Sequence, residues 1–190
     1  MKKRFNKYAL IGFVAIVICT SFFIGKGLIL NNDTLSTETA LSQNKVVNIS
    51  ASYPKYHPDI KSLYEDADLV VLGRVEKVLP SKKVDSLVFT DSVISVQQYY
   101  KNAQEYKNIL IQQDGGILND TEYRNEDLQQ FREGETHLLF LKKIFGNKYF
   151  IMSPVAKYKI ENGQASHIEK ARNSSFKDIE LELQGLSKKE

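Results

Sequence analysis

The side chains able to do chemistry are few and scattered. The histidines are His57, His137 and His167, and no two share a short metal-ligand spacing. The one cysteine, Cys19, lies in an apolar run, so neither a zinc site nor an intramolecular disulfide is expected. Serines are plentiful, but none stands in G-x-S-x-G or S-x-x-K, the settings that activate a serine nucleophile. Glu65, Asp66 and Asp68 form one acidic cluster, and Glu133 with Glu135 a second. Paired carboxylates serve acid–base catalysis or calcium, yet neither cluster has calcium-loop spacing, and solvated charge accounts for both. Asp114-Gly115-Gly116 lacks the G-x-x-x-x-G-K-S/T context of a phosphate loop and reads as a turn. Tyr99, Tyr100 and Tyr106 are candidates for an aromatic platform that takes a sugar or peptide, with strand packing as the alternative use of the same rings. No cofactor is expected.

These residues follow a distinctive N-terminus. Four basic side chains precede Tyr8, and residues 8–24 carry no charge. The apolar stretch extends through Leu30, long enough for a transmembrane helix, with Lys26 able to snorkel. The basic flank puts the N-terminus in the cytoplasm and the rest of the chain outside. A cleaved signal peptide competes with this reading, with Gly25-Lys26-Gly27 as a poor cleavage site and a secreted product. A lipoprotein signal would want a small residue before Cys19, where Ile18 stands. Residues 1–30 are therefore expected to be a membrane anchor or signal, 31–52 a flexible extracytoplasmic stalk, and 53–190 a single domain.

The net charge of +3 divides unevenly: five basic residues and no acid lie in 1–30, leaving −2 for residues 31–190. An extracytoplasmic, slightly acidic domain lacks the electrostatic drive for nucleic acid, which is not expected as a partner.

Within the domain, Ile60, Leu63, Tyr64 and Ala67 fall on one face of a short helix after Pro58 and Asp59. The period then changes to two. Strands are expected from Leu69, over a long stretch from Leu87 to Tyr100 that calls for a bulge, at Ile109–Ile111, at His137–Leu141 and at Tyr149–Met152. Asn162-Gly163 predicts a type I′ hairpin turn. Residues 122–130 fit a short helix or a loop. Apolar residues at 176, 179, 183 and 186 predict a C-terminal helix, with Ser175 and Asp178 as a capping box and Gly185 as its end. The expected core comprises Leu69, Val71, Val75, Phe89, Val93, Ile109, Ile111, Leu139, Leu141 and Phe150. The fold class is mainly β with flanking helices, as a small five- or six-stranded OB-like barrel.

Three blocks carry a family resemblance. Ala67-Asp68-Leu69-Val70-Val71-Leu72-Gly73-Arg74-Val75, the strand from Phe89-Thr90 to Lys101-Asn102, and Phe131-Arg132-Glu133-Gly134-Glu135 with Leu138-Leu139-Phe140-Leu141 resemble blocks of small secreted or membrane-anchored bacterial proteins. Those are similar to the netrin-like and tissue-inhibitor-of-metalloproteinases modules. The resemblance implies an OB-type barrel over roughly residues 59–160. Those inhibitors approach their target's metal with an N-terminal cysteine fixed by disulfides. Cys19 offers no counterpart, so that mechanism does not carry over. A non-enzymatic module binding an unidentified protein or peptide at the cell surface is the leading expectation. A protease inhibitor or regulator, and an envelope-polymer hydrolase working through Glu133 or Glu135, are the alternatives.

Overall fold

A computed structural model describes residues 45–50, 52–53 and 55–188. The anchor expected at 8–30 lies outside them, as does most of the expected stalk. Among the described residues no helix is long and apolar enough to cross a membrane.

The fold is mainly β with two helices. Helix α1 (Ile60–Asp66) starts where Asp59 accepts a hydrogen bond from the Ser62 N–H at 2.8 Å while Ser62 Oγ accepts from the Asp59 N–H. Ile60, Leu63, Tyr64 and Ala67 are buried, as the helical spacing requires. Strand β2 (Leu69–Val78) follows, apolar on both faces over Leu69, Val70 and Val71 because it lies between two neighbours. It pairs antiparallel with β4 (Leu87–Lys101) on one edge and β8 (Thr136–Phe145) on the other. The long β4 slips register against β2 at three places, the irregularity its length calls for. Gly73 permits the close approach of these strands: a Cβ there would lie 2.4 Å from Ile94 Cγ2 and 3.1 Å from the Ser95 carbonyl.

On its far edge β4 pairs with β5 (Asn108–Asp114), and β5 pairs in parallel with β9 (Lys148–Ile151). The other edge of β9 pairs antiparallel with β8. Short strands extend this framework. β3 (Lys82–Val84) joins β4, while β10 (Lys157–Glu161), β11 (Gln164–Ser166) and β12 (Ser174–Ser175) extend from β8. The β10–β11 turn places Asn162 and Gly163 at positive φ, in keeping with the expected type I′ turn. Helix α2 (Phe176–Ser187) buries Ile179 and Leu183.

Several expectations need correction. Residues 122–130 form no helix: they are strand through Asn125, and only 126–130 are the expected alternative, a loop. β6 (Gly116–Leu118) and β7 (Thr121–Asn125) make a hairpin whose two turn residues, Asn119 and Asp120, both have positive φ. The other edge of β7 takes β1 (Lys45–Ile49) in parallel, so a strand stands inside the span read as a flexible stalk. The polar composition of 31–52 hid the β-prone Val46-Val47 pair. Helix α2 continues past Gly185, and Ser175 makes no side-chain capping bond.

The core holds Leu69, Val71, Val75, Ile109, Ile111, Leu139 and Leu141 as expected. Phe89, Val93 and Phe150 are out of it, and Val88, Ile94, Tyr149 and Ile151 are buried in their place. In each case the alternation is shifted by one residue. A period of two leaves its phase undecided where both neighbours are apolar.

Candidate functional site

The phase of β9 brings an aromatic ring to the surface. Tyr149 and Ile151 point inward, and Phe150 between them is 41% exposed. In register, Phe150 faces Gln112 on β5 and Lys142 on β8, so the three share one face of the sheet. Two open recesses meet over this ring, and both are lined by Phe150 and Met152. The first, about 270 Å³, is completed by Ser52, Tyr53, Gln112, Asp114 and Leu128 among others. The second, about 430 Å³, is completed by Lys55, His57, Asp66, Asp68, Lys142 and Lys143. Residues on either side of Pro54 thus contribute to both walls.

The second recess is organised by Asp66 at the end of α1. His57 is 1% exposed, and its Nε2–H donates to Asp66 Oδ2 at 3.0 Å. Lys55 Nζ lies 3.2 Å and Lys142 Nζ 3.4 Å from Asp66 Oδ1. Burial pushes the Asp66 carboxyl up, but the His57, Lys55 and Lys142 donors together hold it below the usual carboxylate range. Lys142 also reaches Asp68 at 3.5 Å, and the Lys143 N–H donates to Asp68 Oδ2 at 2.9 Å. The Lys143 ammonium has no partner among the described residues, and Lys143 is exposed. Arg172 donates to the His57 carbonyl at 2.9 Å, fixing the segment from behind.

The first recess has the opposite character. Asp114 is half-buried, and its carboxylate meets no donor among the described residues. Burial raises its pKa. Its backbone carbonyl is held by Gln130.

The remaining candidates are dispersed. Tyr99 donates its hydroxyl to the Tyr106 carbonyl at 2.5 Å, and Tyr106 is exposed. Tyr100, on the opposite face of β4, is buried and donates to Glu180 of α2 at 2.7 Å. The three expected platform residues are therefore not on one face. Glu133 accepts from the Val78 N–H at 3.0 Å, and Glu135 accepts from the Arg132 N–H and from His137 Nε2–H and pairs with Lys159. Neither lines the two recesses. His137 packs edge-on against Phe131, and burial, aided by the nearby Lys157, pushes its pKa down to about 4. Asp91 bridges Lys82 and Lys148 on the face of the sheet that carries Phe150. Among the described residues no three His, Cys, Asp or Glu side chains converge to hold a metal.

Sequence reasoning missed Phe150, which it put in the core, and Asp114, which it read only as a turn. Reversing the phase of β9 would have exposed Phe150, but Tyr149-Phe150-Ile151 is apolar throughout and gives no basis for the choice. No protein-family model matches this chain, and a search of the curated proteins gives no match either.

Proposed function

We propose that this chain is a non-enzymatic, membrane-tethered extracytoplasmic module that binds a protein or peptide segment across Phe150. The tether rests on the basic flank and apolar run of residues 2–30. An OB-type barrel as scaffold is supported by the pairing scheme. β2, β4, β5, β9 and β8 each have two partners within a ring that the parallel β5–β9 pair completes. The strand order departs from an OB-type scheme between β5 and β8, where the β6–β7 hairpin and a loop stand and no helix does.

The observation that carries the binding role is Phe150, an exposed aromatic ring between two recesses on a strand whose neighbouring apolar residues are buried. Aromatic anchors flanked by polar groups are the usual energetic centre of a protein-binding surface.

The test has two arms. Protease shaving of intact cells should remove the domain if it is outside. Selection of the full-length chain against a displayed random-peptide library should yield peptides that shift the amide resonances of Phe150 and Met152. A shaving-resistant domain would overturn the location. Selected peptides that perturb only distant strands, or no enrichment at all, would overturn the binding role.

A further inference from the structure

The two recesses beside Phe150 differ in how their charges are matched. In one, Lys55 and Lys142 are balanced by Asp66 and Asp68, and Lys142 pairs with both. In the other, Asp114 is half-buried, and its carboxylate meets no donor among the described residues. Burial raises its pKa, and no cation acts against that shift. The surrounding segment adds no free positive charge. Residues 112–130 carry Asp114, Asp120, Glu122, Glu126 and Asp127 against Arg124 alone, and Arg124 donates to Glu122 at 2.9 and 2.8 Å.

The walls around Asp114 are aromatic and apolar: Tyr53, Leu128, Phe150 and Met152 line the same recess. Asn125, itself buried, donates from Nδ2 to the Tyr53 hydroxyl at 3.5 Å and so places the ring. The Asp114 charge reaches that phenol. Burial raises the Tyr53 pKa, and Asp114 raises it further against the Asn125 hydrogen bond. A lone carboxylate among rings and a thioether is a poor donor set for a hard divalent metal, which takes about six or more oxygens. It suits an organic cation. The carboxylate accepts charged N–H groups, the ring faces attract the charge, and the apolar walls take a methylene stem. The recess, about 270 Å³, is smaller than the ~300–1,000 Å³ of pockets that enclose a whole small molecule, and its size suits one side chain of a longer chain.

Resting on the peptide-binding reading above, we propose that the recess at Asp114 receives a lysine or arginine side chain of the bound polypeptide. Phe150 sets where that residue stands. Gln112 pairs with Phe150 in the β5–β9 register, and Asp114 is two residues further along β5 on the same face. With strands ~4.8 Å apart and a rise of ~3.3 Å per residue, the Cα atoms of Phe150 and Asp114 are about 8 Å apart. Residues i and i+2 of an extended chain are about 7 Å apart and project to one side. The cation therefore lies two residues from the apolar side chain that covers Phe150.

End-blocked heptapeptides Ser-X-Ser-Phe-Ser-X-Ser, which serve either chain direction, test this with X as Lys, Arg, norleucine or Glu. Each is titrated against the full-length chain and read by the amide shifts of Asp114 and Phe150, beside n-butylammonium as a free amine. The Lys and Arg peptides are expected to bind at least about fivefold more tightly than the norleucine peptide, and the Glu peptide most weakly, with the differences shrinking as salt is raised. Asp114→Asn should abolish the preference while leaving the norleucine peptide's affinity unchanged, and Asp114→Glu should keep most of it. n-Butylammonium should shift Asp114 only at far higher concentration than the Lys peptide. Equal affinity of all four peptides, with shifts at Phe150, overturns the cation site while peptide binding at the groove stands. A Lys preference that survives Asp114→Asn overturns Asp114 as the receptor. n-Butylammonium binding as tightly as the Lys peptide overturns a polypeptide as the source of the cation. If no peptide moves Phe150, both the cation site and the peptide-binding reading fall.

Discussion

His57 and Asp66 meet at 3.0 Å, Nε2 to Oδ2, and this contact joins the segment leading into the domain to the last residue of α1. His57 is buried and its Nδ1 has no hydrogen-bond partner among the described residues, so Asp66 is the one side chain that satisfies the ring. The contact also forms a wall of the lysine-bearing recess. Packing and site geometry are therefore linked through this pair.

Replacing Asp66 with Ala should strand the buried His57 N–H at a cost of about 1–3 kcal/mol. Urea unfolding measures this, and amide exchange at residues 55–57 should quicken before global unfolding. A loss under about 0.3 kcal/mol with unchanged exchange would mean that the contact does not hold the segment.

The Gly73–Ile94 contact predicts a coupled pair. Gly73→Ala puts a methyl group where Ile94 Cγ2 stands 2.4 Å away. It should cost about 1–3 kcal/mol through overpacking, and Ile94→Ala about 2–5 kcal/mol through a cavity. In the double variant the new methyl occupies part of that cavity. The combined loss should fall short of the sum by about 1 kcal/mol or more in a double-mutant cycle. Additive losses would place the strain elsewhere, against the Ser95 carbonyl.

His137 predicts an acid-sensitive fold. Its folded pKa of about 4 lies below the ordinary 6.5, through burial and the nearby Lys157. The unfolded chain thus takes up a proton that the folded chain refuses. Stability is unaffected above about pH 6.5 and falls as pH drops toward 4, by up to about 3 kcal/mol. His137→Gln should flatten this slope when unfolding free energy is followed between pH 7 and 4. Glu135, held below its ordinary range against the cost of its burial by His137 and Lys159, adds a separate loss in the carboxylate range. An unchanged slope in the variant would assign the acid sensitivity to carboxylates alone.

Much of this architecture was legible from residue order. The three apolar positions of α1, the doubly apolar start of β2, the long β4 and the Asn162-Gly163 turn all appear where local pattern and turn chemistry agree. The site was less legible, for two physical reasons. Where three apolar residues run together, as in Tyr149-Phe150-Ile151, alternation does not say which one faces out. Tertiary pairing decides it. The significance of Asp114 likewise depends on Tyr53 and Met152 coming together around it, and sequence separation conceals that. The strand β1 was hidden because its parallel partner, β7, lies more than seventy residues onward, at Thr121–Asn125.

The phase of β9 has its own signature in stability. Ile151→Ala should cost about 2–5 kcal/mol, as truncation of a buried aliphatic does. Phe150→Ala should cost about 1 kcal/mol or less, because the ring is already partly in water. Equal losses measured by urea unfolding would put Phe150 in the core and remove the surface it defines.

The most direct measurement is the affinity of a library-selected peptide for the Phe150→Ala chain, beside the unaltered chain at matched folded fraction. Loss of the aromatic anchor should weaken binding by about tenfold or more. Undiminished affinity, with amide shifts confined to strands away from β9, would contradict a binding groove centred on Phe150.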